Sequence, residues 1–472
     1  MKSSIRLGIT LIAIVLASGS TASLGLSVAD PLGNRQEPGT GQQAASKAAK
    51  KAAKQKESKA AKKAFREKGP TAADAEQESK QQEPRRASLR RSQREKRAQS
   101  LEKPRRGFWE KQISRVERGT GIARVFMDGW RGFHFAGGDF PAGAGFTYGI
   151  GFTDLAVGSV YEESDQPNRV DVSAGATAST NSYLGVDGHV VIHNLDGSPF
   201  GIGLHGRYLE YPEEDFFGAG RTSLEDNRTS YRFDNTEIGA ELFWQIPERP
   251  WLIGVGAYHL DPEIAPGEDD RFPSIEELFG TGVAGFLRQP DFLRFDTRVG
   301  FDWREQPNTR RGGLYSVTFS YYDDRDLNAF DFRRWEIDLQ QYFPVPYRRA
   351  FVLRANAVLT DTDPGEAVPF YFQPTLGGSE RLRGFREFRF RDANSMLLTA
   401  EYRWDAWSAM QGALFVDVGK VVPEASQLDF NDLEVSYGAG LRLKSAFGFI
   451  ARFDIGISRE GVIPFFKFTN VF

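Results

Sequence analysis

The chain has no cysteine among its 472 residues. That removes disulfides, thiolate catalysis and cysteine-ligated metals, and it excludes an acylated N-terminal cysteine. It also lacks any apolar run near the ~20 residues that a membrane-spanning helix needs. The run from Leu7 to Ala17 is too short. It follows Lys2 and Arg6 and precedes the small residues Ser20-Thr21-Ala22. That order reads as a signal peptide over residues 1–22, with a second cleavage candidate at Ser27-Val28-Ala29. Aromatics are nearly missing from the first 106 residues, where Phe65 stands alone, so this part cannot bury a core.

Charge divides the chain in the same place. Residues 41–106 carry 21 Lys+Arg against 8 Asp+Glu, whereas residues 107–472 carry 36 against 53. A basic arm is therefore joined to an acidic domain. The Lys/Ala-rich tract from Gln42 to Ala64 favours helix but has no apolar stripe for packing. Residues 69–106, with Arg85, Arg86, Arg90, Arg91, Arg94 and Arg97, read as disordered. Basic arms often bind nucleic acid, but an exported arm meets none. Anionic lipid headgroups or peptidoglycan are the expected partners of residues 41–106 in the periplasm.

After the arm (23–106) and a connector (107–141), the sequence period becomes two. Leu293, Phe295, Val299, Phe301 and Trp303 share one parity, while Arg294, Asp296, Arg298, Gly300 and Asp302 share the other. Leu433, Val435, Tyr437, Ala439, Leu441 and Leu443 alternate in the same way with Glu434, Ser436, Gly438, Gly440, Arg442 and Lys444. Such strands put an apolar face outward and a polar face inward. Their length is near the ~9–11 residues of a tilted spanning strand. A negative mean hydropathy is no objection, because only alternate residues face lipid.

The expected fold is all-β: a 16-stranded transmembrane β-barrel over 142–472, with a disordered or helical basic N-terminal arm. The strands are expected at 142–152, 167–179, 181–194, 199–211, 228–247, 250–260, 291–303, 313–323, 330–343, 349–360, 367–376, 395–405, 411–420, 432–444, 446–457 and 462–472. An even number lets the ends meet and closes the edge. Longer connections at 212–227, 261–290 and 377–394 would be outward loops. The last strand places Phe466, Phe468 and Phe472 on one face. A terminal aromatic closing such a strand resembles the assembly signal of bacterial outer-membrane barrels.

The most specific stretch is Leu376-Gly377-Gly378-Ser379-Glu380-Arg381-Leu382-Arg383-Gly384-Phe385. It resembles the sixth-loop motif of the bacterial surface antigen, or outer-membrane assembly, superfamily of BamA/TamA-like barrels. The resemblance implies a loop after strand eleven that folds into the lumen and docks an Arg-Gly-Phe tip on the inner wall. Arg383 would be the anchor, with Gly384 and Phe385 as its turn and apolar plug. The physics agrees, since an arginine in a confined lumen needs carboxylate partners that match its planar fork. Strand parity turns Glu401 and Asp417 inward. The segment Phe415-Val416-Asp417-Val418-Gly419 matches the family's Phe-x-Asp-x-Gly pattern, so Glu401 and Asp417 are the expected receptors. A second stretch, Phe216 to Gly220 with Glu225 to Tyr231, is similar to early-barrel sequence in short members. Its glycines also read simply as turn residues.

The chain departs from the family where periplasmic POTRA domains would stand. Residues 23–141 show no alternation of strands and helices, so it reads as a short form without them. No Gly-x-Ser-x-Gly elbow occurs, and no catalytic constellation is visible. The reading is a non-enzyme without cofactor or metal. His189 and His193 share a strand face, but ~13 Å apart, and no His-Glu-x-x-His exists. The acidic runs Glu268-Asp269-Asp270 and Asp323-Asp324 read as solvated loops. Family resemblance implies protein insertion into, or translocation across, the outer membrane, with client outer-membrane or secreted proteins and surrounding lipid as partners. Two other functions fit the same residues: a passive pore, and a barrel anchor that ties the membrane to the cell wall through the arm.

Overall fold

The computed structural model describes residues 133–136, 140–141, 143–157, 169–245, 249–267, 271–305, 309–407, 410–445 and 448–467. The signal peptide, the arm, most of the connector, Phe468 and Phe472 lie outside these residues. Phe466 is described and projects outward.

Sixteen strands form one antiparallel sheet in which each strand pairs with the next along the chain. They are β1 (Phe133–Ala136), β2 (Thr147–Val157), β3 (Arg169–Ser179), β4 (Leu184–His193), β5 (Phe200–Phe216), β6 (Thr229–Trp244), β7 (Trp251–Pro266), β8 (Phe292–Asp302), β9 (Gly312–Asp324), β10 (Phe332–Val345), β11 (Arg349–Thr362), β14 (Asn394–Trp407), β15 (Met410–Val422), β16 (Glu434–Ser445), β17 (Gly448–Ser458) and β18 (Gly461–Lys467). Between β11 and β14 a long loop makes its own two-stranded sheet from β12 (Thr375–Leu376) and β13 (Phe390–Arg391).

Alternation sets the faces. Phe200, Ile202 and Leu204 of β5 are exposed, as are Ile238 and Leu242 of β6 and Trp251, Ile253 and Val255 of β7. Leu414, Val416, Val435, Tyr437 and Leu441 continue the apolar band on β15 and β16. So much exposed apolar surface fits lipid, not water. The other parity carries paired charges, such as Arg294 on Glu237 (3.1 Å) and Arg354 on Asp338. The sheet curls around its interior. The loop residue Arg389 hydrogen-bonds Ser223, which follows β5, and Glu460, which precedes β18. Lys467 of β18 donates to the carbonyl of Phe140, just after β1.

The structure corrects the expected strands in two places. Residues 367–376 are not a wall strand. Phe370–Phe372 is a turn of 3-10 helix, and Thr375–Leu376 pairs only with Phe390–Arg391. This segment is apolar because it lies inside the lumen. Val368 packs with Tyr258, Leu260, Phe292, Tyr322 and Phe332; Phe370 packs with Phe216, Tyr231 and Ile275. The sixteenth strand is instead β1, inside the stretch read as connector. Four of its residues, Phe133–Ala136, are described. Two errors therefore cancel in the count, and the motif loop still falls after eleven wall strands. Its span is 363–393, longer than the expected 377–394.

Strands β5, β6 and β7 run 17, 16 and 16 residues, beyond what a bilayer needs. Pro212 sits in β5 at a register shift between Tyr211 and Glu214, where a bulge spares the missing N–H. The polar residues 261–266, expected in a loop, extend β7 instead. Aromatic inner faces near this rim, from Phe216 to Phe332, are covered by the folded-in loop.

Candidate functional site

The 363–393 loop reverses at its tip through residues in the left-handed region, among them Leu382 (φ 58°) and Gly384 (φ 107°). The Gly377 amide bonds the Arg381 carbonyl (2.9 Å), and the Gly378 amide bonds the Phe385 carbonyl (3.0 Å). The tip is thus a self-braced bend that presents Arg383 to the wall.

Arg383 is fully buried. Its Nε and Nη2 donate to Asp417 Oδ2 (2.8 Å) and Oδ1 (2.9 Å), and its backbone amide also donates to Asp417 Oδ2 (3.0 Å). Its Nη1 donates to Glu401 Oε2 at 3.1 Å and lies 3.6 Å from Asp454 Oδ2. The guanidinium also stands 3.5 Å over the Phe415 ring. Burial opposes the charge, but Asp417, and then Glu401 and Asp454, outweigh it and raise the Arg383 pKa. Three expected residues, Arg383, Glu401 and Asp417, therefore meet in one site.

The rest of the tip is held sterically. Phe385 packs with Leu376, Leu382, Phe390, Leu397 and Val421, edge-on to Phe390 at 5.1 Å. Gly384 lies flat on β17. A Cβ on Gly456 would meet the Gly384 nitrogen at 2.4 Å, so the wall also needs glycine at this point. Ser458 Oγ donates to the Gly384 carbonyl at 2.6 Å.

Sequence reasoning missed the outer ring of this network. Arg403 and Arg442 both donate to Glu401 Oε1, and Arg452 donates to the Ser379 carbonyl (3.2 Å) while lying 3.4 Å from Asp454. All four side chains have inward parity, which was the available signal. Their convergence depends on how four strands curve together.

A second set of contacts clamps the loop nearer the rim. Arg389 is buried and donates to both Glu460 carboxylate oxygens and to the hydroxyl and carbonyl of Ser223. Burial, partly offset by Arg389, raises the Glu460 pKa. Arg386 reaches Glu225 at 3.0 Å, and the Gly220 amide bonds the Arg391 carbonyl at 2.8 Å. The Phe216–Gly220 stretch thus forms a turn that grips the loop; Gly218 and Gly220 both have positive φ. As a whole the arrangement is a plug, pinned at its tip and clasped above.

Among solved structures, BamA from Haemophilus ducreyi lacking POTRA domains 1–3 is similar, with a TM-score of 0.51 at 12% identity over 69% of this chain and 67% of that one. CdiB from Acinetobacter baumannii matches with a TM-score of 0.42 at 12% identity, over 70% of this chain and 57% of that one. CdiB from Escherichia coli matches with a TM-score of 0.46 at 13% identity, over 71% and 62%. The chain thus spans less than two thirds of either CdiB. No curated protein matches it in sequence. The Omp85 superfamily domain matches residues 210–463, which is 254 of 472 residues. With more than half of its length in that match, the chain belongs to the Omp85 superfamily and is an outer-membrane β-barrel.

Proposed function

We propose that this barrel inserts proteins into the outer membrane or translocates them across it, without enzymatic chemistry of its own. The observation that carries the reading is the pinned loop. A lumen whose loop is held by a buried Arg383 with carboxylates on two wall strands is built for a discrete docked state. A passive pore needs no such lock. Among the described residues β1 and β18 are the two end strands of the ladder. An incoming client strand can add to such an edge through main-chain bonds.

The basic residues 41–106 are proposed to bind anionic lipid or peptidoglycan, on their charge alone. Photo-crosslinkers placed in β2 and β18 test the main reading. Crosslinks to newly exported barrel or secreted proteins are expected from both strands. Crosslinks to lipid alone, with clients assembling normally, would remove it.

A further inference from the structure

A second group of inward-facing polar side chains lies on β4, β5 and β6. The ladder places His189 of β4 directly opposite His205 of β5, with both side chains on the inward parity. Their Nδ1 atoms are 3.1 Å apart and their ring centroids 4.6 Å apart. Each ring turns its other nitrogen to a carboxylate. His205 Nε2 is 3.4 Å from Glu237 Oε1, and His189 Nε2 is 3.8 Å from Asp187 Oδ2. Those carboxylates favour the tautomer with the proton on Nε2. In that tautomer two Nδ1 lone pairs face each other, and a cation between them would satisfy both.

The spacing fits a metal ion. Two imidazole nitrogens bound tetrahedrally at ~2.0–2.1 Å stand about 3.3 Å apart. A carboxylate on the far nitrogen of each ring is the usual support of a metal-bound histidine. Charge permits it as well. Arg294 is neutralised by Glu237 and Asp296, and Arg207 sits opposite Asp187 across the ladder. Tyr258 lies flat over Gly239 and Gly256, where a Cβ would meet its ring at 2.0 and 2.7 Å, and walls one side of His205. His189 stays 40% exposed and His205 21% exposed, so lumenal water has access. No cluster of three or more His, Cys, Asp or Glu ligands exists among the described residues, so water would complete the shell. The comparison of His189 with His193 along one strand could not show this pair, because it forms across strands.

We propose that His189 and His205 bind one borderline divalent cation, such as Cu²⁺, Zn²⁺ or Ni²⁺, through their Nδ1 atoms. The test is Cu²⁺ titration of the folded full-length chain in detergent, read by calorimetry and by nitrogen hyperfine coupling in electron paramagnetic resonance. One equivalent with two coupled nitrogens is expected. His189→Ala and His205→Ala should each weaken binding at least tenfold. Asp187→Asn and Glu237→Gln should weaken it by about tenfold. His193→Ala and His259→Ala should leave it unchanged. Heat-modifiable gel mobility checks folding, and Gln replaces Ala in any variant that fails it. Equal Cu²⁺ binding in both His variants would overturn the proposal. So would a wild-type pair that titrates with pH yet binds no metal, since a shared proton then fills the gap.

Discussion

Arg383 sits between three carboxylates, and its removal would strip the buried Asp417 of this guanidinium, while Glu401 keeps Arg403 and Arg442. Breaking one member of such a buried pair costs about 3–5 kcal/mol. Arg383→Ala should therefore lower the unfolding free energy of the barrel by that amount, measured by denaturant titration in micelles. A double-mutant cycle with Asp417→Ala should show coupling of about 0.5–3 kcal/mol. A charge swap should rescue only in part. The carboxylate introduced by Arg383→Glu would still face Glu401 and Asp454 after Asp417→Arg. Gly456→Ala tests the same docking without touching a charge. It should expose the tip to protease as Arg383→Ala does, because its methyl group would collide with the Gly384 backbone. Motif and parity made Arg383, Glu401 and Asp417 legible in the sequence. Parity alone could not show that Arg442, Arg452 and Asp454 reach the same point.

At the scale of elements, the 363–393 loop is held in two places, and the two should separate. Arg389→Ala removes the grip on Ser223 and Glu460 but leaves Arg383 in place. Amide exchange should rise near 386–391 and 217–225 while staying slow at 382–384. Equal acceleration at both places would mean that the loop has one attachment, not two. This loop also explains the main misreading of the sequence. Val368, Phe370 and Phe372 alternate like a wall strand, yet the first two are buried and the third half-buried against inward-facing aromatics. Period two reports two-sided environments, and a chain threaded through a lumen has one too. The extra length of β5 to β7 was hidden for the opposite reason, since beyond the lipid band nothing demands an apolar face.

For the whole molecule, the all-β sheet, the apolar band and the superfamily were legible because each repeats over many residues, while the count of sixteen agreed only because one false and one missed strand cancelled. The first wall strand, β1, was not legible, because it lies in the stretch read as connector. A plugged barrel should conduct little in planar bilayers, and Arg383→Ala should raise its open time. A large steady conductance in the wild type would favour the pore. The most direct test of the assembly reading is a quantitative comparison of outer membranes with the protein, without it, and with Arg383→Ala in its place. The account predicts that a defined set of barrel or secreted proteins falls when the protein is removed and stays low with Arg383→Ala. An unchanged outer-membrane protein set in all three strains would contradict it.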